Sequence, residues 1–384
     1  MPLTALTDGE LRAGRGLKWS RAPAGVIPAD IAELDFALAP PIRAVLSSAV
    51  ERSDVGYPDY TGGAPVRLAE LFAERTRRRM GWSPEPARVE VCAQVVQALC
   101  CALLAFTRRG DEVLLHSPTY PPFLEAVRSL GRRPLLLPVR GAGVAQWAAV
   151  EGARRLRLVV LCHPHNPTGH VFGRAALERL AGLAVRSDAV VFADEIHAEI
   201  VYPGTEFHSI ASVRAAAERT IVFTSAAKSF NIAGLRCAVG HFGGAELHAR
   251  FRRLPWHLRS GAGALGIAAT IAAWESCDDW LDQLREQLGT NRTRVTDFMS
   301  HFEQIRFVPP SGTYLAWLDL RATPAASDAH GYFAKTAMIF LQPGSVFGAS
   351  LEGFVRMNFG TSEERLDSLL ERFGRALDGS SGKG

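Results

Sequence analysis

The segment "LRLVVLCHPHNPTG", residues 156–169, holds an apolar run followed directly by polar and turn-forming residues. A short apolar run bounded by such residues is typical of a strand buried on both faces of a sheet. The Asn-Pro and Thr-Gly pairs that follow it favour a turn. This segment therefore predicts a buried strand that ends in polar side chains at the edge of a sheet.

The same pattern recurs on both sides of this segment. Strand-like runs occur at residues 111–118, 133–139, 189–196 and 220–226, and helix-like stretches separate them. Apolar strands that alternate with helices predict an α/β fold with a mostly parallel sheet covered on both faces. From about residue 280 a long charged helix precedes further strands and helices, which predicts a second, smaller α/β domain.

Size and composition limit the classes of protein to consider. A chain of 384 residues exceeds the roughly 250–300 residues of a single core, so two domains are expected. The net charge of +4 and the lack of basic runs interleaved with aromatics argue against nucleic acid as a partner. The densest basic cluster, "RTRRRM" at residues 75–80, is interpreted as a solvated helix face.

Neither a membrane segment nor a disulfide framework is expected. No stretch reaches the ~18 uninterrupted apolar residues of a membrane helix, and residues 1–16 lack the apolar core of a signal peptide. The six cysteines are scattered without CxxC spacing, which favours reduced thiols. We therefore expect a cytoplasmic protein that does not bind membranes.

Polar residues follow three consecutive strands of the predicted sheet. Asn166 follows the first, Asp194 and His197 follow the next, and Ser225 and Lys228 follow the third. Each residue alone has an ordinary structural explanation as a turn former, a helix cap or a packed side chain. Ligands of parallel sheets, however, bind at the carboxyl ends of strands, so the joint occurrence predicts one site.

The lysine indicates the chemistry of this site. Lys228 is one of four lysines in a chain that otherwise uses arginine for its positive charge. A lysine amine can form a Schiff base, whereas a guanidinium stays charged. A carboxylate such as Asp194 can keep a pyridine nitrogen protonated, and Asn166 can bind a ring oxygen. Ser225 and Arg236 could bind a phosphate. The set predicts pyridoxal phosphate as the cofactor.

Further motifs are distributed along the chain. They are "KW", "AELDF", "GYP", "SPTYPPF", "HPHNPTG", "ADEIHAEIVYPG", "SAAKSFNIAGLR", "TYLAWLDLR" and "FVRMNFG". With these motifs the chain resembles the fold-type-I pyridoxal-phosphate enzymes of the class I/II aminotransferase superfamily. Within that superfamily it resembles the MalY/PatB branch of cystathionine β-lyase-like carbon–sulfur lyases, over nearly its whole length.

The resemblance implies a fold and a domain organisation. It implies a large domain of residues 46–280 with a mostly parallel seven-stranded sheet, as in aspartate aminotransferase. It implies a small α/β domain built from residues 1–45 and 281–384. It further implies a homodimer with the active site at the subunit interface.

The resemblance also assigns roles around the cofactor ring. Lys228 would anchor the cofactor as a Schiff base and later move the Cα proton. Asp194 would pair with the pyridine nitrogen, and Tyr120 would stack on the ring, so these two residues and Lys228 form the catalytic set. Asn166 and His197 would bind the ring oxygen.

Further residues would bind the phosphate and the substrate. Val96 and Gln97 would present backbone N–H groups to the phosphate, together with Ser225 and Arg236. Tyr57 would reach the phosphate from the second subunit.

The substrate would be bound chiefly by an arginine. Arg356 would clamp the α-carboxylate of a small amino-acid substrate, with Asn166 and Tyr57 beside it. Trp256 and Arg259 are weaker candidates for the pocket that receives the substrate side chain.

The chain departs from the family pattern at three places. Ala227 stands where the family usually has serine before the lysine, and residues 94–96 read Gln-Val-Val instead of Gly-Val-Val. The family motif "ADMDF" is "AELDF" at residues 32–36. These changes leave the expected cofactor groups in place but put the identity of the substrate in doubt.

The resemblance implies a β-lyase that cleaves a cysteine S-conjugate to a thiol, pyruvate and ammonia. Alternatives are an aminotransferase, or a specialised-metabolism enzyme that diverts the same intermediate to decarboxylation or oxidative deamination. A binding protein that retains the cofactor but has little turnover is a further alternative.

Two other sequence patterns could suggest a dinucleotide site and a metal site, but we expect neither. "GAGALG" at residues 261–266 matches GxGxxG but follows a basic, aromatic segment instead of a strand, so close helix packing is the better interpretation. His163 and His165 lack companions at ligand spacing, so no metal site is expected.

Overall fold

The computed structural model describes residues 3–60, 62–140, 144–145, 147–150 and 152–379. Within these residues the strands are β1 (Ile27–Ala29), β2 (Val89–Cys92), β3 (Glu112–Ser117), β4 (Arg133–Arg140), β5 (Val144–Ala145), β6 (Leu156–Cys162), β7 (Val190–Asp194), β8 (Thr220–Thr224), β9 (Ala238–Phe242), β10 (Arg306–Phe307), β11 (Leu315–Asp319), β12 (Ile339–Pro343) and β13 (Phe354–Asn358).

The same residues contain helices that cover the two sheets. They are α1 (Asp8–Ala13), α2 (Leu17–Ser20), α3 (Pro40–Glu51), α4 (Ala64–Met80), α5 (Val95–Phe106), α6 (Pro121–Ser129), α7 (Arg174–Arg186), α8 (Ala226–Ser229), α9 (Ala245–Arg252), α10 (Trp256–Arg259), α11 (Ala264–Ser276), α12 (Asp278–Met299), α13 (Ala329–Thr336) and α14 (Glu363–Leu377).

The large sheet has the order β2-β9-β8-β7-β6-β3-β4-β5. The pairs from β8 through β4 are parallel, and β9 runs antiparallel to both β8 and β2. The prediction of a mostly parallel seven-stranded sheet is confirmed, with the two-residue strand β5 added at one edge. The sequence patterns had marked β3, β4, β6, β7 and β8, but not β2 and β9.

The strands are apolar along their whole length because both faces of the sheet are covered. Alternate residues of β6 pack on opposite sides: Leu158 and Val160 share a core with α5, α6 and α9, whereas Val159 and Leu161 share one with α7. Every residue of β8 and β9 is buried. This double burial explains why continuous apolar runs, instead of alternating ones, marked the strands.

The small sheet has the order β1-β12-β13-β11-β10 and combines both ends of the chain. β1 pairs in parallel with β12, and the remaining pairs are antiparallel. The domain boundaries at residues 45/46 and 280/281 remain a prediction. The helix α12 begins at Asp278 and continues through residue 280 without a break.

One expectation about surface charge was wrong. Arg75, in the basic cluster of α4, is buried with its guanidinium 2.5 Å from a carboxylate oxygen of Glu199 and 2.7 Å from one of Asp278. Removing either acid would leave a buried, incompletely paired cation. Arg77 and Arg78 of the same cluster are exposed, as expected.

The interpretation of "GAGALG" as helix packing fits the structure. A Cβ atom on Gly266 of α11 would lie 2.3 Å from the carbonyl oxygen of Leu235, so glycine is required for this close approach. All six cysteines are free, while a cytoplasmic location remains a prediction. Among the described residues no helix is long and apolar enough to cross a membrane, and no group of acidic, histidine and cysteine side chains could hold a metal ion.

Candidate active site

A cavity of about 460 Å³ lies at the carboxyl ends of the central parallel strands. The predicted site residues that line it are Val96, Tyr120, Asn166, Asp194, His197, Ser225, Lys228, Arg236 and Arg356. A larger surface cavity of about 580 Å³, beside Tyr202 and Glu206, is lined by no lysine and by none of the predicted residues. The smaller cavity is therefore the candidate active site.

Lys228 is presented to the cavity by a helix of one turn, α8, which follows β8 directly. Ser225 caps this helix: its hydroxyl accepts a hydrogen bond from the Ala227 N–H (3.1 Å) and donates to the Cys237 carbonyl (2.5 Å). The Lys228 amine donates to the Ala32 carbonyl at 2.7 Å. Burial, and then the nearby charge of Arg356, lower the pKa of Lys228 to about 8. The amine is therefore still mostly protonated at pH 7, but it loses its proton at lower pH than an exposed lysine does.

Asp194 is the last residue of β7 and is buried. Its Oδ1 accepts a hydrogen bond from the Ile196 N–H at 3.0 Å. Burial raises the pKa of Asp194 to about 7, because one backbone hydrogen bond and the distant Lys228 charge compensate only part of its desolvation. A cation placed beside this carboxylate would favour its ionised form.

Arg356 enters the cavity from β13 of the small sheet. Its guanidinium donates to Asn166 Oδ1 at 2.9 Å and to the Asp30 carbonyl at 2.5 Å, and it lies over the Phe347 ring at 5.1 Å. Its buried Nε has no partner among the described residues. Burial lowers the pKa of Arg356 to about 10, so this group remains a cation that can bind an anion. The structure thus brings Arg356 and Asn166 together, as a shared role at the substrate requires.

His197 and Tyr120 are both packed into the cavity wall. Burial lowers the pKa of His197 to about 3, so the imidazole is neutral, and its Nδ1 is buried without a described partner. Its ring meets that of Tyr314 edge-on at 5.9 Å. Tyr120 precedes α6, and burial followed by the charge of Asp194 raises the pKa of its hydroxyl.

The first turn of α5 faces the same cavity. The helix begins at Val95, and its first N–H groups have no intrahelical acceptor, which makes this end suitable for a phosphate. Arg236, in a left-handed backbone conformation, reaches this end and donates to the Gln94 side chain. Ser225 and Arg236 are thus brought beside Val96, as predicted.

Gln97 belongs to this first turn, but its side chain points elsewhere. The amide oxygen accepts from the Ala93 N–H at 2.9 Å, while the amide nitrogen donates to the Leu258 and Ser260 carbonyls at 2.8 and 2.7 Å. Gln97 does not line the cavity with the other predicted residues. Its backbone N–H remains available in the position that the prediction requires.

Besides Gln97, three further candidates do not line the cavity of the single chain. Tyr57 is 100% exposed and contacts none of the site. Trp256 and Arg259 border a separate surface cavity, where Arg259 pairs with Glu90 at 3.1 Å. Within one chain, the structure does not support the expectation that Trp256 and Arg259 line the substrate pocket.

The N-terminal loop is a part of the site that sequence reasoning missed. Ile31, Ala32 and Glu33 line the cavity, together with Gln342 of β12 and Phe347 of the 3-10 turn that follows this strand. The motif "AELDF" covers part of this loop and was the available signal, although no role followed from it. Glu33 is the one charged residue among these additions.

Comparisons with known proteins agree with this geometry. The family model for aminotransferase class I and II matches residues 41–373. The chain belongs to the aminotransferase class I and II family. A cystathionine beta-lyase of Corynebacterium glutamicum is 31% identical, with 96% of this chain and 98% of that protein aligned. The cystathionine beta-lyase PatB of Bacillus subtilis (strain 168) is also 31% identical, over 91% of this chain and 92% of PatB.

A solved structure extends the likeness to the cofactor. Cystalysin from Treponema denticola, whose crystal structure contains pyridoxal 5'-phosphate, superimposes with a TM-score of 0.90 at 25% identity, and 98% of each chain is covered. The present chain is thus a pyridoxal-phosphate enzyme of the carbon–sulfur lyase type, as its resemblance to the MalY/PatB branch implied.

The side chains that line the cavity of the present chain fit pyridoxal phosphate. Among the described residues, no cation contacts the buried carboxylate of Asp194, and the buried Nδ1 of His197 has no hydrogen-bond partner. Lys228 lies in the same cavity, and the first turn of α5 supplies backbone donors for a phosphate. Lys228, Asp194, Asn166, His197 and the α5 end are the groups that would hold pyridoxal phosphate.

The pKa of Asp194 predicts how the cofactor-free protein responds to pH. A carboxyl with a folded-state pKa near 7 binds a proton more tightly than the unfolded chain, whose pKa is about 4. Stability should therefore fall as pH rises from about 4 to about 7, by at most about 1.4 kcal/mol per pH unit from this group. Asp194→Asn should remove this loss, so the variant should be the more stable cofactor-free protein at pH 8 but not at pH 4.

Urea unfolding midpoints across this pH range test the expectation. Asp378→Asn, at an exposed position after α14, is the matched control and should follow the wild type. Identical pH profiles of stability for Asp194→Asn and the wild type would show that burial does not raise the pKa of Asp194. Pyridoxal phosphate should stabilise the wild type more than Asp194→Asn, because only the wild type offers it a carboxylate.

A second prediction concerns the anchor. Lys228→Ala removes the one lysine amine that lines the cavity, so the absorbance of lysine-bound cofactor should disappear while the cofactor still binds noncovalently. Absorbance spectra of the purified protein measure this, with Lys335→Ala on the exposed end of α13 as control. Persistence of the band in Lys228→Ala would exclude Lys228 as the anchor.

Proposed function

We propose that this enzyme is a carbon–sulfur β-lyase that converts a cysteine S-conjugate of the cystathionine type to a thiol, pyruvate and ammonia. The observation that carries the proposal is one cavity that holds a lysine amine of lowered pKa, a buried carboxylate and a buried arginine: Lys228, Asp194 and Arg356. The similarity to cystathionine β-lyases from two bacteria supports cleavage at sulfur.

Different residues of the chain would perform different parts of this reaction. When bound, pyridoxal phosphate supplies an electron sink for the charge that develops at Cα. Arg356 holds the substrate carboxylate, aided by Asn166, and thereby fixes the direction of the Cα–H bond. Asp194 favours positive charge on the group that it faces.

Lys228 moves the proton. The free Lys228 amine would accept the Cα proton, and its pKa of about 8 suits both uptake and release near neutral pH. The Cβ–S bond breaks with its electron pair leaving on sulfur, and the thiolate takes up a proton. The remaining three-carbon enamine reacts with water to give pyruvate and ammonia, so no second substrate is required.

Transamination is the second candidate, favoured by the match to the aminotransferase family model. It would use the same cavity and the same removal of the Cα proton by Lys228. The proton would then return to the cofactor instead of sulfur leaving from Cβ. Decarboxylation and oxidative deamination remain further alternatives that no feature of the described residues favours.

A product assay separates lyase from aminotransferase. The holoenzyme with L-cystathionine and a panel of S-alkyl-L-cysteines should release thiol and pyruvate in equal amounts without an added keto acid. Lys228→Ala should reduce the rate by at least about a hundredfold, because general acid–base catalysis is lost. Release of neither product from any conjugate, with turnover that requires a keto acid, would overturn the lyase assignment in favour of transamination.

We also propose that the active unit is a homodimer whose partner subunit supplies Tyr57. Tyr57 is fully exposed in the single chain and lies outside its cavity. Its side chain is therefore free to contact a second subunit. The family resemblance implies that this residue reaches the phosphate of the neighbouring subunit, which supports the proposal.

Complementation between inactive variants tests the shared site. Lys228→Ala and Tyr57→Phe should each lower activity, but a mixed dimer would hold one site with both native residues. Co-refolding equal amounts should restore about a quarter of wild-type activity, since half of the dimers are mixed and each has one complete site. Lys228→Ala with Asp194→Asn is the control and should not recover, because both residues belong to the same chain's cavity. Failure of the first pair to recover would exclude a Tyr57 contribution in trans.

A further inference from the structure

The charged residues of the cavity wall are not all used by the proposed reaction. Among the described residues, the charged side chains that line the cavity are Glu33, Asp194, Lys228, Arg236 and Arg356. Four of them serve the cofactor ring, the anchor, the phosphate and the substrate carboxylate. Glu33 has no such role, although it is a carboxylate beside the reacting groups.

The backbone of Glu33 is firmly placed. Its carbonyl accepts hydrogen bonds from the Asn358 amide at 2.6 Å and from the Lys18 amine at 3.4 Å. The preceding carbonyl, of Ala32, accepts from Lys228 at 2.7 Å and from the Tyr314 hydroxyl at 3.0 Å. The backbone of Glu33 is therefore held next to Lys228, independently of any contact that the Glu33 side chain makes.

The side chain of Glu33 is uncommitted. Within the described part of the chain its carboxylate makes neither a hydrogen bond nor an ion pair, and it is half-buried. A Cβ atom on Gly16 would lie 3.6 Å from Glu33 Oε2, an ordinary van der Waals distance, so one carboxylate oxygen lies near the residue that precedes α2.

The electrostatic influence of Glu33 reaches the cavity. Burial and Arg356 lower the pKa of Lys228, and Glu33 acts against that lowering. Burial raises the pKa of Tyr314, and the Glu33 charge raises it further. Glu33 therefore lies close enough to the reacting groups to act on a substrate bound among them.

We propose that Glu33 determines specificity by binding a cationic group on the sulfur substituent of the cysteine S-conjugate. This inference rests on the proposed function and adds the chemical class of the leaving thiol. With the amino-acid end of the substrate held by Arg356, the sulfur substituent must occupy the remaining cavity wall. Leu17 and Ile31 supply apolar contact there, and Glu33 supplies the one negative charge not facing the cofactor.

The departure from the family motif fits this assignment. The family pattern "ADMDF" places aspartate where this chain has Glu33. Glutamate extends the carboxylate by one methylene from a backbone that is fixed through its carbonyl groups. The longer side chain gives the carboxylate more reach from this fixed backbone, and a hydrogen bond to a charged partner is worth more than one to a neutral partner.

Three matched substrates test the proposal in the holoenzyme. S-(2-aminoethyl)-L-cysteine, S-propyl-L-cysteine and S-(carboxymethyl)-L-cysteine have similar size but carry a positive, a neutral and a negative substituent. The wild type should prefer them in that order. In Glu33→Gln, kcat/KM for the aminoethyl substrate should fall by about tenfold to a hundredfold, the loss expected for one charged hydrogen bond. The value for the propyl substrate should stay within about twofold, since its substituent is neutral.

Two further variants sharpen the comparison. Glu33→Asp keeps the charge but shortens the side chain, so it should retain part of the preference for the aminoethyl substrate. Glu178→Gln removes an exposed carboxylate on α7, outside the cavity, and should leave all three values unchanged. An equal loss on all three substrates in Glu33→Gln would overturn the proposal and show that Glu33 acts through Lys228 instead.

A binding measurement separates this inference from the proposed reaction. In Lys228→Ala loaded with pyridoxal phosphate, substrate binding can be followed by the change in cofactor absorbance without turnover. Adding Glu33→Gln should raise the Kd of the aminoethyl substrate by about tenfold or more and leave the Kd of the propyl substrate unchanged. Selective binding without thiol release in the native enzyme would refute the lyase but keep the role of Glu33. Thiol release with no preference for the charge of the substituent would support the lyase and refute the role of Glu33.

Discussion

The hydrogen bond from the Lys228 amine to the Ala32 carbonyl is the contact on which the active site depends. It joins the helix at the end of β8 to an N-terminal loop that lies 196 positions away in sequence. The same carbonyl accepts from Tyr314, which immediately precedes β11 of the small sheet. One acceptor therefore fixes the amine relative to both sheets. Because this position is also buried, the pKa of the amine is lowered, which is what the proposed roles of nucleophile and base require.

The loop that carries this carbonyl is held by side chains that bind its backbone. Asn358 donates to the carbonyls of Ile31 and Glu33, both at 2.6 Å, and Arg356 donates to that of Asp30. Asn231 donates to two later carbonyls of the same loop. A segment without a sheet partner needs such donors for its buried polar groups. Since the loop is positioned through its backbone, the side chain at Glu33 is free to differ from the family pattern without displacing the amine.

Local patterns predicted the parts of the site that depend on local structure. Asn166, Asp194 and Lys228 follow buried strands, and parallel pairing brings consecutive strand ends together, so their meeting could be inferred from the chain alone. The role of the N-terminal loop could not, because its contacts join residues nearly 200 positions apart or more. The burial of Arg75 was missed for the same reason: its charge suits a solvated helix face, and its partner Asp278 lies on a distant helix.

Burial gives the charged groups of the cavity different capacities to discriminate between ligands. It disfavours the ionised forms of both Asp194 and Arg356, so a ligand that brings the opposite charge relieves a cost already present in the fold. That relief increases affinity for any ligand with the required ring or carboxylate. Glu33 is half-buried, and among the described residues its carboxylate makes neither a hydrogen bond nor an ion pair. Its charge is therefore not balanced within the fold, and a cationic substituent is the ligand group that would balance it. Selection among sulfur substituents would come from this unbalanced charge, whereas Asp194 and Arg356 favour any ligand with the required ring or carboxylate.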